Sequence, residues 1–564
     1  MQNIFYIKNI DKSFVGKTIF IFSLLSYFFL KLPFNCSVIC SSANEGFYYI
    51  YAQNLLDSLK YDTFCGPLFV FLYAFILKVF GFGTASIIST HFLQTFVILL
   101  TAIFSFVLAK ELINDFFAGV AVLSFILLQI TPIGLWGGGL ELESAFAFEA
   151  EVLCSFFSLC SIICFLMSSK KQTPFMYCFF SGILAFLSFA SKANGLVLTI
   201  AFLCWAIYLL LFQKTYLIDI KQHLLFFFTG WLLCFLAFDL VMFMLKTNPL
   251  TFWRNCFWVG SYKAITTKTY FDLLKLIFHF MTRGSTSLNN FILFLTSFLS
   301  FLWICLRGYL LKLKDDPRQH FWILIAIWYL GNACAIIVPG VYSSYYYNLI
   351  WPSIALLLVL ALKDIFYYFA DLKIQLIVSI LVSGLFICRL ITISPTYYKL
   401  ARANIMMNAF SQPLSFKDPI LPEEIISSKN RFLGLQVADI INSKLPDKRD
   451  RFYVFNFFKG FASFSPNIYI YAKRPCFTTI LSDHLIQSHV HNYAKEKLIK
   501  ILINSPPKLI LVSKQPYVDE NMVKRLDLFL VWLRDFLSQK YHLETTFNFN
   551  NGKKDEVCYI YERN

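Results

Sequence analysis

Long apolar runs dominate the chain up to about residue 394. Runs long enough to cross ~30 Å of hydrocarbon as helices occur at 18–40, 88–109, 116–133, 149–168, 174–190, 196–213, 224–245, 288–306, 321–338, 347–362 and 373–393. They predict an α-helical polytopic membrane protein with about 11 transmembrane helices. A further run, 67–83, is short, flanked by glycine and interrupted by Lys78.

The lysines and arginines between these runs predict the orientation. Cytoplasmic segments of membrane proteins carry an excess of Lys and Arg. The basic residues at 8–17, 170–171 and 307–318 all fall inside if the N-terminus is inside and 67–83 does not cross. We therefore predict 67–83 to be an interfacial helix on the outer face, with the chain after 394 also outside.

Composition supports the membrane assignment and divides the chain. Hydrophobic residues make up 58%, charged residues 15%, and Phe occurs 66 times, which excludes an ordinary soluble, disordered, collagen-like or disulfide-scaffold protein. Charged residues are about 11% of 1–394 but about 24% of 395–564. This predicts a transmembrane domain over 1–394, with juxtamembrane helices in an outer loop at 41–87, and a C-terminal extracytoplasmic α/β domain over 395–564.

Periodicity in the C-terminal part predicts both strands and helices. The predicted strands are 451–457, 467–472, 508–513 and 556–561, and the predicted helices are 484–504 and 519–540. Cys476 and Cys558 could form a disulfide if this part lies in an oxidising compartment. It contains no nucleophile elbow, phosphate loop or metal motif, which favours a positioning or lid role.

A net charge of +16 would also suit a nucleic-acid binder, but the sequence has no such signature. The charge instead favours membrane lipid or a phosphorylated substrate as partner. No nucleic-acid partner is expected.

Carboxylates near the outer ends of the runs are the candidate chemical groups. Glu45 follows the first run, where partial loss of water would favour a general base; the alternative is a solvated loop charge. Asp62 precedes the interfacial helix and could equally cap it. Glu141, Glu143, Glu149 and Glu151 repel one another unless some are protonated, bind a divalent cation or face a basic substrate.

Two other groups face the same side in the predicted topology. Lys192 stands alone between two runs and could hold a phosphate, or could simply extend towards the interface. Tyr345 and Tyr346 belong to a tyrosine-rich segment bounded by Pro339 and Pro352, which is typical of an aromatic belt and also of a shaped cavity.

These segments together resemble the GT-C glycosyltransferases. Residues 45–56 (EGFYYIYAQNLL), then Tyr61-Asp62 and Gly66-Pro67-Leu68, are similar to a loop that in this family starts Asp-Glu, continues Tyr-x-x-x-Ala-x-x-Leu and reaches Pro-Pro-Leu. Glu151 matches a family acid, 189–196 (FASKANGL) resembles a Thr-Lys-x-x-Gly turn, and 345–352 resembles a His-Tyr…Pro segment. The most similar branch holds the protein O-mannosyltransferases and the bacterial lipid A aminoarabinose transferase.

The resemblance implies an inverting hexosyl- or pentosyltransferase of the bacterial inner membrane, with its C-terminal domain in the periplasm. Its donor would be a polyprenyl-phosphate sugar, and its acceptor an envelope glycan, lipid or protein. Glu45, Asn44 and Asp62 would be catalytic residues. Lys192, Glu151, Tyr345 and Tyr346 would bind substrate. A divalent cation stays open as cofactor, with no ligands assigned.

Three departures from the family pattern bear on catalysis: Asn44 replaces an Asp, Gly66 replaces a Pro, and Tyr345 replaces a His. Asn cannot accept a proton, so Glu45 has to be the base if the chain is an enzyme. A flippase of lipid-linked sugar is one alternative, although the sequence lacks the repeats typical of transporters. A non-catalytic scaffold of the same fold is the other.

Overall fold

A bundle of long apolar helices forms the described part of residues 12–368. The computed structural model describes residues 12–36, 43–58, 66–130, 148–168, 174–212, 217–250, 253, 277, 288–310, 317–337, 344–368, 437–447, 449–455, 465–474, 476, 478, 491–513, 520–550 and 555–564. The helices of the bundle are α1 (Lys12–Asn35), α2 (Ala43–Ser58), α3 (Pro67–Phe80), α4 (Thr84–Leu112), α5 (Asp115–Ile130), α6 (Ala150–Ser168), α7 (Pro174–Ser191), α8 (Leu196–Phe212), α9 (Leu217–Met244), α10 (Leu288–Leu310), α11 (Pro317–Ile337) and α12 (Trp351–Tyr368).

The membrane character predicted from the sequence is confirmed, whereas the count of about 11 spans stays a prediction. Among the described helices, seven are long and apolar enough to cross a membrane: α1, α4, α6, α7, α8, α9 and α11. Helices α5 and α10 carry shorter apolar stretches. The last predicted span, 373–393, lies outside the described residues.

Helix α3 occupies the run predicted to be interfacial. Gly66 is its N-cap and Pro67 its first residue, a position that suits proline because it needs no backbone N–H there. The helix ends where Gly81 takes φ 77° and donates its N–H to the Leu77 carbonyl over 2.8 Å. It packs against α2, α4 and α7. Its helical state agrees with the sequence, and its place at the interface stays a prediction.

Hydroxyl groups join α6 to α7 in the bundle interior. Ser161 and Ser181 each donate to the other's carbonyl over 2.8 Å, and Ser188 donates to the Cys154 carbonyl over 2.9 Å. All four residues are buried. Small side chains let the helix backbones approach, and the bonds satisfy polar groups that have no water inside a membrane bundle.

The C-terminal part contains a four-stranded mixed sheet in the order β1-β2-β4-β3. Strand β1 pairs parallel with β2, and β4 pairs antiparallel with both β2 and β3. In chain order the elements are α13 (437–444), β1 (Phe452–Phe455), α14 (Ser465–Tyr471), α15 (His491–Asn504), β2 (Leu509–Ser513), α16 (Glu520–Lys540), β3 (Tyr541–Asn550) and β4 (Asp555–Arg563). An α/β architecture is therefore present, while a domain boundary at 394/395 stays a prediction.

One local prediction for this part was wrong, and one strand was missed. Residues 467–472 were expected to be a strand, but Ser465–Tyr471 is helix α14; the alternating Ile and Tyr side chains are all buried, so alternation did not mark a half-exposed strand. Strand β3 pairs with β4 along its length. It was not predicted, because its polar residues interrupt the alternation of apolar and polar positions that indicates a strand. Cys476 and Cys558 are both buried, and they do not form a disulfide with each other.

Helix α14 packs on α2, which places the C-terminal part against the helix that begins beside Glu45. The Lys473 side chain also approaches Gly83, the N-cap of α4, and a Cβ there would lie 3.6 Å from it. The C-terminal part therefore contacts the end of the bundle that contains the candidate residues.

Candidate active site

Three buried carboxylates lie where α2 and α6 begin. Glu45 is in the first turn of α2, Glu149 immediately precedes α6, and Glu151 is in the first turn of α6. Each is fully buried. A helix N-terminus is favourable for a carboxylate because the backbone N–H groups there carry partial positive charge. We call these three residues the acidic cluster.

Glu45 is held by side chains from two helices. Two hydroxyl groups lie within hydrogen-bond distance of Glu45 Oε1, that of Thr90 in α4 at 3.0 Å and that of Tyr49 in α2 at 3.4 Å. His91 Nε2 lies 3.1 Å from Oε1 and 3.3 Å from Oε2. The sequence suggested a carboxylate at the water boundary. In the structure it is enclosed and hydrogen-bonded.

Glu149 joins α2 to the start of α6. The Tyr48 hydroxyl donates to Glu149 Oε2 over 3.1 Å, and Tyr73 of α3 donates to the neighbouring Phe148 carbonyl over 3.0 Å. The rings of Tyr48 and Tyr73 lie 5.4 Å apart. This aromatic contact fixes the start of α6 against α2 and α3, which brings Glu149 and Glu151 to the same end of the bundle as Glu45.

Lys192 forms an ion pair with Glu151, and its ammonium lies 4.2 Å from the centre of the Tyr346 ring. Lys192 has an extended backbone between α7 and a short 3-10 helix, Ala193–Gly195. The expectation of an unpaired lysine was therefore wrong. The carboxylate neutralises the lysine and the ring face favours a cation, so Lys192 is held in place while its side chain keeps 22% of its surface accessible.

A second 3-10 helix, Ser344–Leu349, carries Tyr346 to this position. Ser155 of α6 donates to the Asn348 carbonyl over 2.6 Å, and Asn332 of α11 donates to the Leu349 carbonyl over 3.0 Å. Tyr347 is buried against Trp351. The segment read from the sequence as tyrosine-rich is thus anchored by α6 and α11, which places one tyrosine over Lys192.

The structure brings four of the predicted site residues to one end of the bundle: Glu45, Glu151, Lys192 and Tyr346. For Asn44 and Tyr345 only the backbone is described, in α2 and in the 3-10 helix respectively. Asp62, Glu141 and Glu143 lie outside the described residues. The catalytic and binding roles of all these residues stay predictions.

Sequence reasoning missed Tyr48, Tyr49, Thr90 and His91, which bond to the acidic cluster. A signal was present in α4, where Thr90, His91, Gln94 and Thr95 interrupt an otherwise apolar helix and are all buried. Ionisable and polar groups at membrane depth are functional candidates. Gln94 accepts from Lys31 of α1 over 3.4 Å, and Thr95 donates to Asn35 over 2.9 Å, so α1 and α4 share a second polar layer next to the first.

Metal-binding capacity at the acidic cluster is limited. Glu151 Oε2 is buried and has no hydrogen-bond partner among the described residues, and carboxylate oxygens suit divalent cations. However, Lys192 already neutralises the other oxygen of this carboxylate. Within the described residues, three metal-ligating side chains come within reach of one another at His542, Glu544 and Glu562 of the sheet, and Glu544 there is paired with Lys444.

The arrangement places a carboxylate and a cation at the same end of an apolar bundle. A carboxylate can take a proton from a hydroxyl, and an ammonium can stabilise a phosphate as it leaves. The aromatic side chains around both groups offer ring faces of the kind that pack against apolar and ring-shaped ligands.

No protein-family model matches the chain, and no curated protein sequence matches it. Solved structures do match. ArnT from Cupriavidus metallidurans in the apo state gives a TM-score of 0.56 at 14% identity, covering 96% of this chain and 97% of that one. The same protein bound to undecaprenyl phosphate gives 0.54 at 13% identity, with the same coverage.

The Archaeoglobus fulgidus oligosaccharyltransferase, in complex with zinc and sulfate, gives a TM-score of 0.53 at 14% identity. That match covers 88% of this chain and 68% of the other. Identities this low show a shared fold. They confirm, at the level of the fold, the resemblance found in the sequence.

Proposed function

We propose that this chain, which has the GT-C fold, is a membrane glycosyltransferase. It would take a hexose or pentose from a polyprenyl-phosphate carrier and transfer it to an acceptor at the outer face of the membrane. The observation that carries the proposal is the placement of Glu45 and of the Lys192–Glu151 pair at one end of the bundle.

The donor class is supported by the apolar bundle and by the lysine. A polyprenyl tail needs an apolar surface, while its phosphate needs a cation. Lys192 is the cation of the described site that keeps part of its surface accessible. One of the structures with the same fold, ArnT, has undecaprenyl phosphate bound. For this chain a carrier of that chemical class is therefore the proposed donor.

In the proposed reaction, the acceptor hydroxyl attacks the anomeric carbon from the side opposite the phosphate. Its proton passes to the Glu45 carboxylate as the new oxygen–carbon bond forms. The bond between the anomeric carbon and the phosphate oxygen breaks, and its electron pair leaves with the phosphate. Lys192 stabilises the added negative charge. Displacement from the opposite side inverts the anomeric centre.

A non-catalytic scaffold is the second candidate, because Asn44 stands where the family pattern has an acid. The two candidates differ in whether Glu45 can act as the base without that neighbour. A flippase of lipid-linked sugar is the third candidate. One experiment can distinguish the enzyme, the scaffold and the flippase.

The experiment uses the full chain reconstituted in liposomes with a polyprenyl-phosphate carrier bearing a radiolabelled sugar. Envelope extract supplies the acceptors. Transfer of label to a new product, with release of unlabelled polyprenyl phosphate, supports the enzyme. Movement of labelled lipid between leaflets without release would indicate a flippase. Saturable binding with neither would indicate a scaffold.

A further inference from the structure

His91 lies outside every segment that carries the family resemblance, yet it contacts the proposed base. It stands in the second turn of α4 and is 1% exposed, and Glu45 is 0% exposed. Burying a histidine removes its ring nitrogens from water, which costs free energy unless a polar partner replaces the lost hydrogen bonds. Its partner is the Glu45 carboxylate, on a different helix.

The contact fixes the protonation of one ring nitrogen. An ionised carboxylate only accepts hydrogen bonds, so His91 Nε2, at 3.1 Å and 3.3 Å from the two Glu45 oxygens, must carry hydrogen when Glu45 is ionised. The Thr90 hydroxyl lies 3.0 Å from the same carboxylate, and its oxygen lies 2.6 Å from the Tyr49 hydroxyl. Each hydroxyl has one proton. If Thr90 donates to Glu45, Tyr49 therefore donates to Thr90; if Thr90 donates to the Ile87 carbonyl, 2.8 Å away, the Tyr49 proton is left for Thr90 or for Glu45.

Other ionisable groups also lie near this end of α4. They come from α1, α2, α3, the start of α6 and the C-terminal part, and include Lys31, Glu45, Tyr48, Tyr49, Tyr73, Lys78, Glu149, Glu151 and Lys473. Helices α5, α11 and α12 carry Asp115, His320, Lys363 and Asp364 at the ends that lie away from His91, while Tyr329 lies within α11. The structure places the Glu45 carboxylate in hydrogen-bond contact with the His91 ring.

We propose that His91 is a positioning residue for Glu45. Its Nε2–H holds the carboxylate in one orientation and stabilises the ionised form that accepts the acceptor's proton. Loss of the donor leaves the carboxylate free to rotate and easier to protonate. The proposal rests on the proposed function for its kinetic consequence, while the hydrogen bond itself can be tested without turnover.

The variants are His91→Gln, whose amide nitrogen keeps a donor near the position of Nε2 but cannot titrate, and His91→Leu, which removes the donor. Losing one hydrogen bond to a charged group corresponds to about 10–150-fold in rate. We therefore expect His91→Leu to lower kcat by about that factor and to leave the donor KM nearly unchanged, since the donor phosphate is assigned to Lys192. His91→Gln should recover most of kcat.

A second measurement is independent of activity. Hydrophobic carbodiimides label protonated carboxyl groups, and labelling of Glu45 can be followed by mass spectrometry of its peptide, with Glu45→Gln as the blank. We expect faster labelling in His91→Leu than in the wild type and in His91→Gln. Labelling equal in all three overturns the proposal, whether or not the wild type transfers sugar.

The positioning role of His91 would also be overturned if His91→Leu had the same kcat as the wild type, or if the kcat of His91→Gln were as low as that of His91→Leu. A wild type without any sugar transfer would instead contradict the proposed function, and the labelling rates would still decide whether His91 holds Glu45.

Discussion

Gly66 and Ser191 lie backbone against backbone, at a separation that leaves no room for a side chain at residue 66. A Cβ on Gly66 would lie 2.0 Å from the Ser191 carbonyl oxygen. Ser191 ends α7 and directly precedes Lys192, so this contact joins the start of α3 to the lysine that pairs with Glu151. The departure from Pro-Pro-Leu at this position thus has a packing reason, because proline also carries a Cβ.

Gly66→Ala should therefore destabilise the bundle and displace Lys192. Overpacking of this kind costs about 1–3 kcal/mol. We expect a lower Tm in detergent and a higher donor KM. Gly83→Ala is the matched control, since its Cβ would be 3.6 Å from the Lys473 side chain, an ordinary contact. Equal melting of the two variants would contradict the close approach of Gly66.

Lys192 is expected to have two effects, one on the stability of the fold through Glu151 and one on binding of the donor phosphate, and variants of the pair can separate them. Lys192→Met leaves the buried Glu151 carboxylate without its cation, which typically costs about 3–5 kcal/mol. It should also raise the donor KM about 10–150-fold, the loss of one charge-assisted contact to phosphate. Both effects would be seen together in the single variant, by thermal unfolding and by kinetics.

The double variant Lys192→Met/Glu151→Gln separates these effects. It removes both charges of the pair, so Tm should recover, while the donor KM should stay high because the phosphate still lacks its cation. Recovery of both Tm and the donor KM would show that Lys192 stabilises the fold but does not bind the donor. An unchanged donor KM in the single variant would remove Lys192 from the donor site.

The predicted topology has a direct test. A reporter that is active only in the cytoplasm, fused after Asn564, should be silent because the basic residues place the C-terminal part outside. The same reporter inserted at residues 169–173, between α6 and α7, should be active. Activity after Asn564 would require 67–83 to cross the membrane or another span to be missing.

Thiol labelling tests the packing of the C-terminal part. Burial raises the pKa of the Cys558 thiol to about 12, and Cys476 is 3% exposed. Because the thiolate is the reactive form, neither should react with a maleimide at pH 7 until the protein is unfolded. The unfolded chain serves as the control, because both thiols should react once the fold is lost. Rapid native labelling of Cys558 would contradict the packing of β4.

Hydrophobic patterning predicted the helices well because burial in lipid demands long uninterrupted apolar runs. Ten of the runs read from the sequence coincide with described helices from α1 to α12. The pattern failed at α14, whose residues Ile468 to Tyr471 are buried on every side. A fully buried segment loses the periodicity that distinguishes strand from helix.

The candidate site was only half predictable. Glu45, Glu151 and Lys192 are conspicuous as charges beside apolar runs. Their pairings could not be seen in the sequence, because Lys192 and Glu151 are 41 residues apart and Glu45 and His91 are 46 residues apart. Spatial proximity of that kind depends on how helices pack. A sequence shows which polar groups enter the membrane region but does not show which of them meet.

The last prediction concerns Glu45 itself. Glu45→Gln keeps the size of the side chain and an acceptor oxygen for Thr90 but cannot take a proton. Loss of a general base typically lowers turnover 10²–10⁴-fold, about 2.7–5.5 kcal/mol in the barrier. Donor binding should hardly change, since the phosphate is assigned to Lys192. We expect single-turnover transfer to fall while equilibrium binding of the lipid donor stays within about twofold of wild type.

Asn44→Asp is the converse variant, because it restores the acid that the family pattern has beside Glu45. If Asn44 is a drifted catalytic position, turnover should be preserved or raised, and Asn44→Asp should rescue part of the loss in Glu45→Gln. If Asn44 has an adapted role, the new charge next to the buried Glu45 should lower turnover, since adjacent carboxylates disfavour joint ionisation. Near-normal turnover by Glu45→Gln alone would move the base to Asp62 or favour the non-catalytic scaffold.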